Sequence, residues 1–186
     1  MLSDDAFLTV IDALQAAQIP YMVVGSLSVN LYAPPRSTQD ADILVHVDPG
    51  ALQALRPKLE PSLRWEPQLS FETVTSSTRQ VLELPRTGYK VELFFLTSDP
   101  HDQERFARRV RVPVLGRDMY LPTPEDVLVT KLRWSHLGRR AKDVDDARNL
   151  LAVQGDRLDW DYIHRWCDTH GTRALLDDIR RSIPVV

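Results

Sequence analysis

The sequence has little cysteine and no long apolar run. Cys167 is the only cysteine among 186 residues, which excludes an intrachain disulfide and predicts a reducing compartment. No stretch approaches the roughly 20 apolar residues that a membrane helix needs. Residues 1–5 are acidic and lack the positive start of a signal peptide. We therefore expect a cytoplasmic protein without membrane association.

Neither acidic nor basic residues are in large excess. The formal net charge is -3, so the overall charge does not predict nucleic-acid binding. The five histidines show no zinc-type spacing with Cys167. The composition, 43% hydrophobic and 26% charged, is ordinary for a globular domain.

Apolar patterning divides the chain into an α/β part and a helical part. We predict an α+β fold: a mixed sheet flanked by helices in residues 1–121, followed by a C-terminal helical region, residues 122–186, packed on this core. Residues 60–70, with two prolines, are predicted to be irregular. The predicted strands cover residues 21–24, 41–47, 71–75, 80–84 and 90–96, with a turn at 86–88 and a hairpin over 111–121. The predicted helices begin at Ser3 or Asp4, Ser26, Asp48, Thr123, Ala141, Asp159 and Thr172.

The most informative motif joins a small turn to a pair of acids. Gly25-Ser26 is followed after a short spacer by Asp40-Ala41-Asp42. Carboxylates one residue apart on a strand share a face, and they repel unless a cation lies between them. Mg2+ or Mn2+ suits this pair, because such cations take oxygen ligands from few carboxylates and from substrate phosphates. The glycine allows phosphate to approach the backbone.

The same acid pair has a simpler interpretation. An isolated Asp-x-Asp is usually a solvated turn or strand end. Here apolar residues 21–24 and 43–45 flank the turn and the acids. That setting favours a metal-dependent phosphoryl or nucleotidyl transfer site.

The pattern resembles the nucleotidyltransferase superfamily, which includes DNA polymerase beta and the aminoglycoside nucleotidyltransferases. The resemblance implies a third carboxylate on a later strand, and Glu92 within the apolar run 89–95 fits. The alternative for Glu92 is a solvent-facing residue of an edge strand.

A second resemblance involves residues 122–151. A lysine in one helix, Lys131, precedes the motif Arg140-x-Lys142-Asp143-hydrophobic-x-Asp146. This order is similar to the last motif of the AbiEii-type toxins and implies a bacterial protein with a toxin–antitoxin role. Those toxins also carry a basic motif between the first and third motifs, and no clean match occurs between residues 43 and 88. The nearest basic residues there are Arg79 and Arg86.

The superfamily resemblance assigns roles to the first motif. Asp40 and Asp42 would hold Mg2+ against the triphosphate of an NTP, and Glu92 would bind a second metal and help to activate the nucleophile. Gly25 and Ser26 would meet the β- and γ-phosphates, although a plain tight turn is equally consistent. Arg36 would also reach the phosphates, or else face solvent after two prolines.

The helical motif leaves two interpretations open for Lys131. Its apolar neighbours predict partial burial, so it needs a partner. That partner is Asp143 or Asp146 in a salt bridge, or a phosphate, and both contacts can hold. Lys142 is predicted to direct its charge toward the nucleotide, while Asp143 caps the helix.

A run of arginines is the remaining basic feature. It is typical of a solvated face, and the alternative is a groove for nucleic acid or for an acidic partner protein. Its members are Arg105, Arg108, Arg109, Arg111 and Arg117.

Two classes of function follow. The first is a metal-dependent enzyme that transfers NMP from an NTP to a small molecule, a protein hydroxyl or an RNA end. The second is a non-catalytic binding or antitoxin-like module with the same fold. The intact acids Asp40, Asp42 and Glu92 favour the enzyme, whereas the missing middle basic motif favours the binding module.

Overall fold

The computed structural model describes residues 3–59, 62–73, 76–85 and 87–184. The predicted turn residue Arg86 and the predicted strand residues 74 and 75 lie outside these ranges. The main sheet follows the order β1-β2-β6-β5-β3, and β4 also pairs with β5. Its strands are β1 (Tyr21–Val24), β2 (Asp40–Val45), β3 (Arg64–Trp65), β4 (Ser70–Glu72), β5 (Ser77–Glu83) and β6 (Lys90–Phe95).

The sheet is mixed, as predicted. Strands β2 and β6 are parallel, whereas β1–β2, β5–β6, β3–β5 and β4–β5 are antiparallel. The α-helices of this part within the described ranges are α1 (Ser3–Ala16), α2 (Gly25–Val29), α3 (Pro49–Leu52), α4 (Arg56–Leu59) and α5 (Pro100–Ala107). A separate hairpin consists of β7 (Val110–Val114) and β8 (Arg117–Leu121).

Residues of β2 alternate between two environments. Ala41, Ile43 and Val45 belong to the main apolar core, which also contains Ile11 and Leu14 of α1. Asp42 and Leu44 therefore point to the opposite face of the sheet. There Leu44 packs in a smaller cluster with residues of β1, β6 and α5. One face of the sheet thus supplies stability, and the other presents the acids.

Four helices form the C-terminal part: α6 (Pro124–Gly138), α7 (Ala141–Gln154), α8 (Trp160–His170) and α9 (Arg173–Ser182). The predicted start of α6 is confirmed, because the Thr123 side chain accepts a hydrogen bond from the Asp126 N–H and proline occupies the first turn. These helices share one apolar cluster, which also includes Val29 and Ala33 from the α/β part. The division at residue 121 stays a prediction.

One helix was missed, and one local prediction was wrong. Helix α5 was not predicted, although Asp99 caps it and Pro100 begins it, which is a recognisable helix start. Residues 64–65 and 70 are not irregular but pair with β5. Short strands of this kind are fixed by their partner strand rather than by their own sequence.

Within the described residues, no helix has both the length and the apolar character required to cross a membrane.

Candidate active site

A polar cleft of about 330 Å³ lies on the acid-bearing face of the sheet. This volume is in the range of small-molecule sites. The cleft gathers residues from the sheet, from the β1–α2 junction and from α6 and α7. It is lined by Gly25, Ser26, Asp40, Asp42, Glu72, Arg79, Glu92, Phe94, Lys131, Trp134, Arg140, Lys142 and Asp143.

Asp42 is the centre of negative charge in this cleft. The parallel register pairs Asp42 with Glu92, so the two carboxylates lie on the same face of adjacent strands. Asp42 keeps part of its surface open, yet burial of its carboxyl, with smaller contributions from Asp40 and Glu92, raises its pKa to about 7. Its carboxylate is therefore suited to take up a proton or a cation.

Gly25 allows the turn to approach Asp42. Its backbone is left-handed, with φ of +66°, and a Cβ there would lie 2.0 Å from Asp42 Oδ2. A glycine is thus required both by the conformation and by the contact. The turn and the acid, which are 17 positions apart in the sequence, form one surface.

An ion network joins the turn to the helices. The Arg36 guanidinium donates to both oxygens of Asp146, at 2.9 and 3.0 Å, and to Ser26 Oγ at 2.8 Å. Lys131 Nζ lies 2.8 Å from Asp143 Oδ1 and 2.8 Å from Asp146 Oδ2. The predicted salt bridge of Lys131 is confirmed, and it involves both aspartates.

This network affects two predicted phosphate contacts. Arg36 does not line the cleft, because its guanidinium is engaged by Asp146 and Ser26. Ser26 accepts that bond through its oxygen and retains its hydroxyl proton for donation. The phosphate contacts predicted for Gly25, Ser26, Arg36 and Lys131 stay predictions.

Asp143 does not cap α7, contrary to the prediction. The cap position is Arg140, which makes no side-chain capping bond. Asp143 lies one turn further on and turns inward to Lys131, because a buried lysine requires a counter-charge. Lys142 is exposed and lines the cleft, which is compatible with its predicted direction.

Glu92 has a basic partner. Arg79 Nη1 lies 2.9 Å from Glu92 Oε2 and 3.7 Å from Glu72 Oε2, and Glu72 Oε1 in turn lies 3.7 Å from Arg140 Nη2. Burial raises the pKa of Glu92, and Arg79 opposes that shift. The predicted third carboxylate is thus paired with a cation of β5.

The donor set for a metal is partly assembled. Asp40 Oδ1 accepts a hydrogen bond from Thr38 Oγ1 at 2.6 Å, and Glu92 accepts from Arg79. Among the described residues, no three His, Cys, Asp or Glu side chains are grouped so as to hold a metal ion together. The chemistry of Asp40 and Asp42 fits a hard divalent cation, and the metal roles of all three acids stay predictions.

Sequence reasoning missed several residues of the cleft. Arg79 was noted only as a basic residue in the segment that lacks the expected basic motif, and it was not assigned to the site. It pairs with Phe94 across β5 and β6, so it shares the face of Glu92, two residues away. This placement becomes evident only when the strand pairing is known. The other missed residues are Glu72, Phe94, Trp134 and Arg140.

The arginine run does not form a free basic surface. Arg105 is 6% exposed and donates to Asp102, so a solvated role is wrong for this residue. Arg108 Nε lies 3.4 Å from Asp126, and Arg109 lies over Phe106. The last two, Arg111 and Arg117, pair with Asp118 and Asp12.

Solved nucleotidyltransferase structures share this arrangement of strands and helices, and the protein has a nucleotidyltransferase fold. The antibiotic-resistance factor ANT(2'')-Ia is similar with a TM-score of 0.62 and 11% identity, over 95% of each chain. An antigenic nucleotidyltransferase-like protein from Paracoccidioides brasiliensis has a TM-score of 0.57 and 17% identity, over 97% of this chain and 94% of that one. The lincosamide antibiotic adenylyltransferase LnuA, bound to lincomycin, has a TM-score of 0.53 and 15% identity, over 80% and 96%.

No protein-family model matches the sequence, and no curated protein matches it. At these low identities the structural similarity establishes the fold alone.

Proposed function

We propose that this protein is a metal-dependent nucleotidyltransferase that transfers NMP from an NTP to a hydroxyl-bearing acceptor. The observation that carries the proposal is the juxtaposition of Gly25 with Asp42, whose pKa is raised to about 7. A concentration of negative charge beside a turn without a side chain suits a metal–triphosphate complex, in which the cation offsets the repulsion between carboxylates and phosphates.

Asp40 and Asp42 would hold Mg2+ or Mn2+, and Glu92 would contribute to a second metal position after Arg79 releases it. When bound, the cation neutralises charge on the phosphates and polarises the α-phosphorus. Gly25 and Ser26 would bind the β- and γ-phosphates through the backbone N–H groups and the free hydroxyl proton. Lys142 would add a positive charge to the same group.

The strand order suggests how the reactants are arranged. Gly25 and Ser26 follow β1, on one side of β2, whereas Glu92 lies on β6 along the other side. In transfer, the acceptor oxygen bonds to the α-phosphorus as the bond to the bridging oxygen breaks, and pyrophosphate leaves. With pyrophosphate on the Gly25 side, the acceptor hydroxyl would lie toward Glu92. Its proton would pass to Glu92, the carboxylate on that side.

A non-catalytic binding module is the second candidate. The observation that favours it is the Arg79–Glu92 pair, which occupies the carboxylate expected to assist the reaction. A finer proposal, an AbiEii-type toxin or antitoxin role, rests on Lys131 and the motif at residues 140–146 alone.

The test is label transfer from each α-labelled NTP, with Mg2+ or Mn2+, to protein, RNA and small-molecule pools. We expect transfer by the parent and none by Asp40→Asn with Asp42→Asn, which should remain folded. A folded parent that neither transfers label nor binds NTP would exclude the enzyme.

A further inference from the structure

One enclosed oxygen on the wall of the cleft has no donor. The Asp143 side chain is 1% exposed, and its Oδ1 accepts a hydrogen bond from Lys131 Nζ at 2.8 Å. Its Oδ2 meets no hydrogen-bond partner in the described part of the chain. An unsatisfied buried acceptor costs about 1–3 kcal/mol, and more when it is charged. Oδ2 itself is enclosed, but Asp143 lines the cleft, so a turn of its carboxylate toward a bound reactant would give this oxygen a donor.

The charge balance around Asp143 selects the kind of donor. Lys131 and Arg36 carry two positive charges, and Asp143 and Asp146 carry two negative charges, all within one network of contacts. The network is therefore neutral, and a further cation at Oδ2 is not required. A neutral hydroxyl satisfies the oxygen without adding an unpaired charge.

The network also places Asp143 on the proposed phosphate side of the cleft. Lys131, Asp146 and Arg36 connect it to Ser26 Oγ. Phosphate oxygens of a triphosphate are acceptors and would be repelled by Asp143. The ribose is the next unit of a nucleotide bound there, and its hydroxyls are donors.

We propose that Asp143 Oδ2 accepts a hydrogen bond from a ribose hydroxyl of the bound NTP and thereby selects ribonucleotides over deoxynucleotides. The inference rests on the proposed function, because it requires a nucleotide in the cleft. It gives Asp143 a binding role in addition to its salt bridge with Lys131.

The test compares the affinities of matched nucleotides by calorimetry with Mn2+. The probes are ATP, GTP, CTP and UTP, followed by the 2′-deoxy and 3′-deoxy forms of the one that binds most tightly. We expect one deoxy form to bind the parent about 10-fold more weakly, as loss of a hydrogen bond to a charged acceptor implies. In Asp143→Asn the amide oxygen is held by Lys131 and the amide nitrogen replaces Oδ2, so the hydroxyl can only accept a weaker, neutral hydrogen bond and the difference should fall clearly below that of the parent.

Asp146→Asn is the matched control. It removes the same charge from the same network, but both Asp146 oxygens already accept from Arg36 or Lys131, so discrimination should persist. Equal binding of ribo and deoxy forms by the parent would overturn the inference alone, and this result is decisive even if Asp143→Asn does not fold. Undiminished discrimination in folded Asp143→Asn would also overturn it. A parent that binds no NTP would overturn the proposed function and the inference together.

Discussion

Gly25 and Asp42 are in direct contact across the cleft floor: a Cβ on Gly25 would lie 2.0 Å from Asp42 Oδ2. Gly25→Ala should therefore displace the Asp42 carboxylate and abolish metal-dependent NTP binding. Gly116→Ala is the control, since Gly116 also has positive φ, +75°, but no atom of the described residues lies within 4 Å of its added Cβ. Both changes should cost about 1 kcal/mol or more of stability from backbone strain, measured by urea unfolding.

Only Gly25→Ala should also lose NTP binding in calorimetry. Equal loss in both variants, or in neither, would contradict a role for the Gly25–Asp42 contact.

The raised pKa of Asp42 predicts an unusual pH dependence of stability. The folded-state pKa is about 7 and the ordinary pKa of an aspartate is 3.8, so the folded state binds more protons between these values. The contribution of Asp42 to the free energy of unfolding should therefore fall as pH rises from about 4 to 7 and then level off. Partial exposure reduces the effect to on the order of 2 kcal/mol. Asp42→Asn should remove this pH-dependent contribution to the free energy of unfolding. The measurement is the difference between the urea midpoints of the parent and the variant, followed across pH.

Lys142 is exposed and lines the cleft, so its loss should affect the reaction rather than the fold. Lys142→Ala should lower the transfer rate by about 10²-fold, as expected for a lost preorganised charge, with little change in thermal midpoint. Lys58→Ala is the control, because Lys58 is an exposed lysine of α4 outside the cleft. A transfer rate equal to that of the Lys58 variant would exclude a role for Lys142.

Lys131 is predicted to be a major determinant of stability. Lys131→Met keeps a similar apolar stem and removes the charge that faces Asp143 and Asp146. Loss of a buried partner should cost about 3–5 kcal/mol in urea unfolding. The loss should be smaller in an Asp143→Asn background, because less negative charge is then left uncompensated. Strict additivity of the two changes would argue against the bridge.

Arg79 should compete with divalent cations for Glu92. Arg79→Gln releases the carboxylate that lies 2.9 Å from the guanidinium, so Mn2+ affinity should rise several-fold in calorimetric titration. Arg140→Gln removes a cleft cation that pairs with Glu72 at 3.7 Å, and it controls for the general change of charge. The same gain in both variants would show that Glu92 has no specific part in metal binding.

Local patterns predicted much of the architecture, because strand alternation and helix starts act over a few residues. Tyr21–Val24 and the capped start of α6 are examples. Local patterns could not predict contacts between residues more than 100 positions apart. The Arg36–Asp146 contact, for example, depends on how α7 packs against the sheet. The pairing of Arg79 with Glu92 likewise depends on the register between β5 and β6, which neither strand specifies alone.

The sequence by itself determined which chemical groups are available: a flexible glycine, a same-face pair of acids, and a lysine that needs a counter-charge. These are properties of residue type and short spacing. Only the tertiary structure decided their partners, since strand order and helix packing set which charges meet. The tertiary structure paired Arg36 with Asp146 away from the cleft lining and paired Glu92 with Arg79. Among the described residues, it left one oxygen of Asp143 without a donor. Long-range packing therefore brought these polar residues together in one cleft, with Gly25 on one side of β2 and Glu92 on the other.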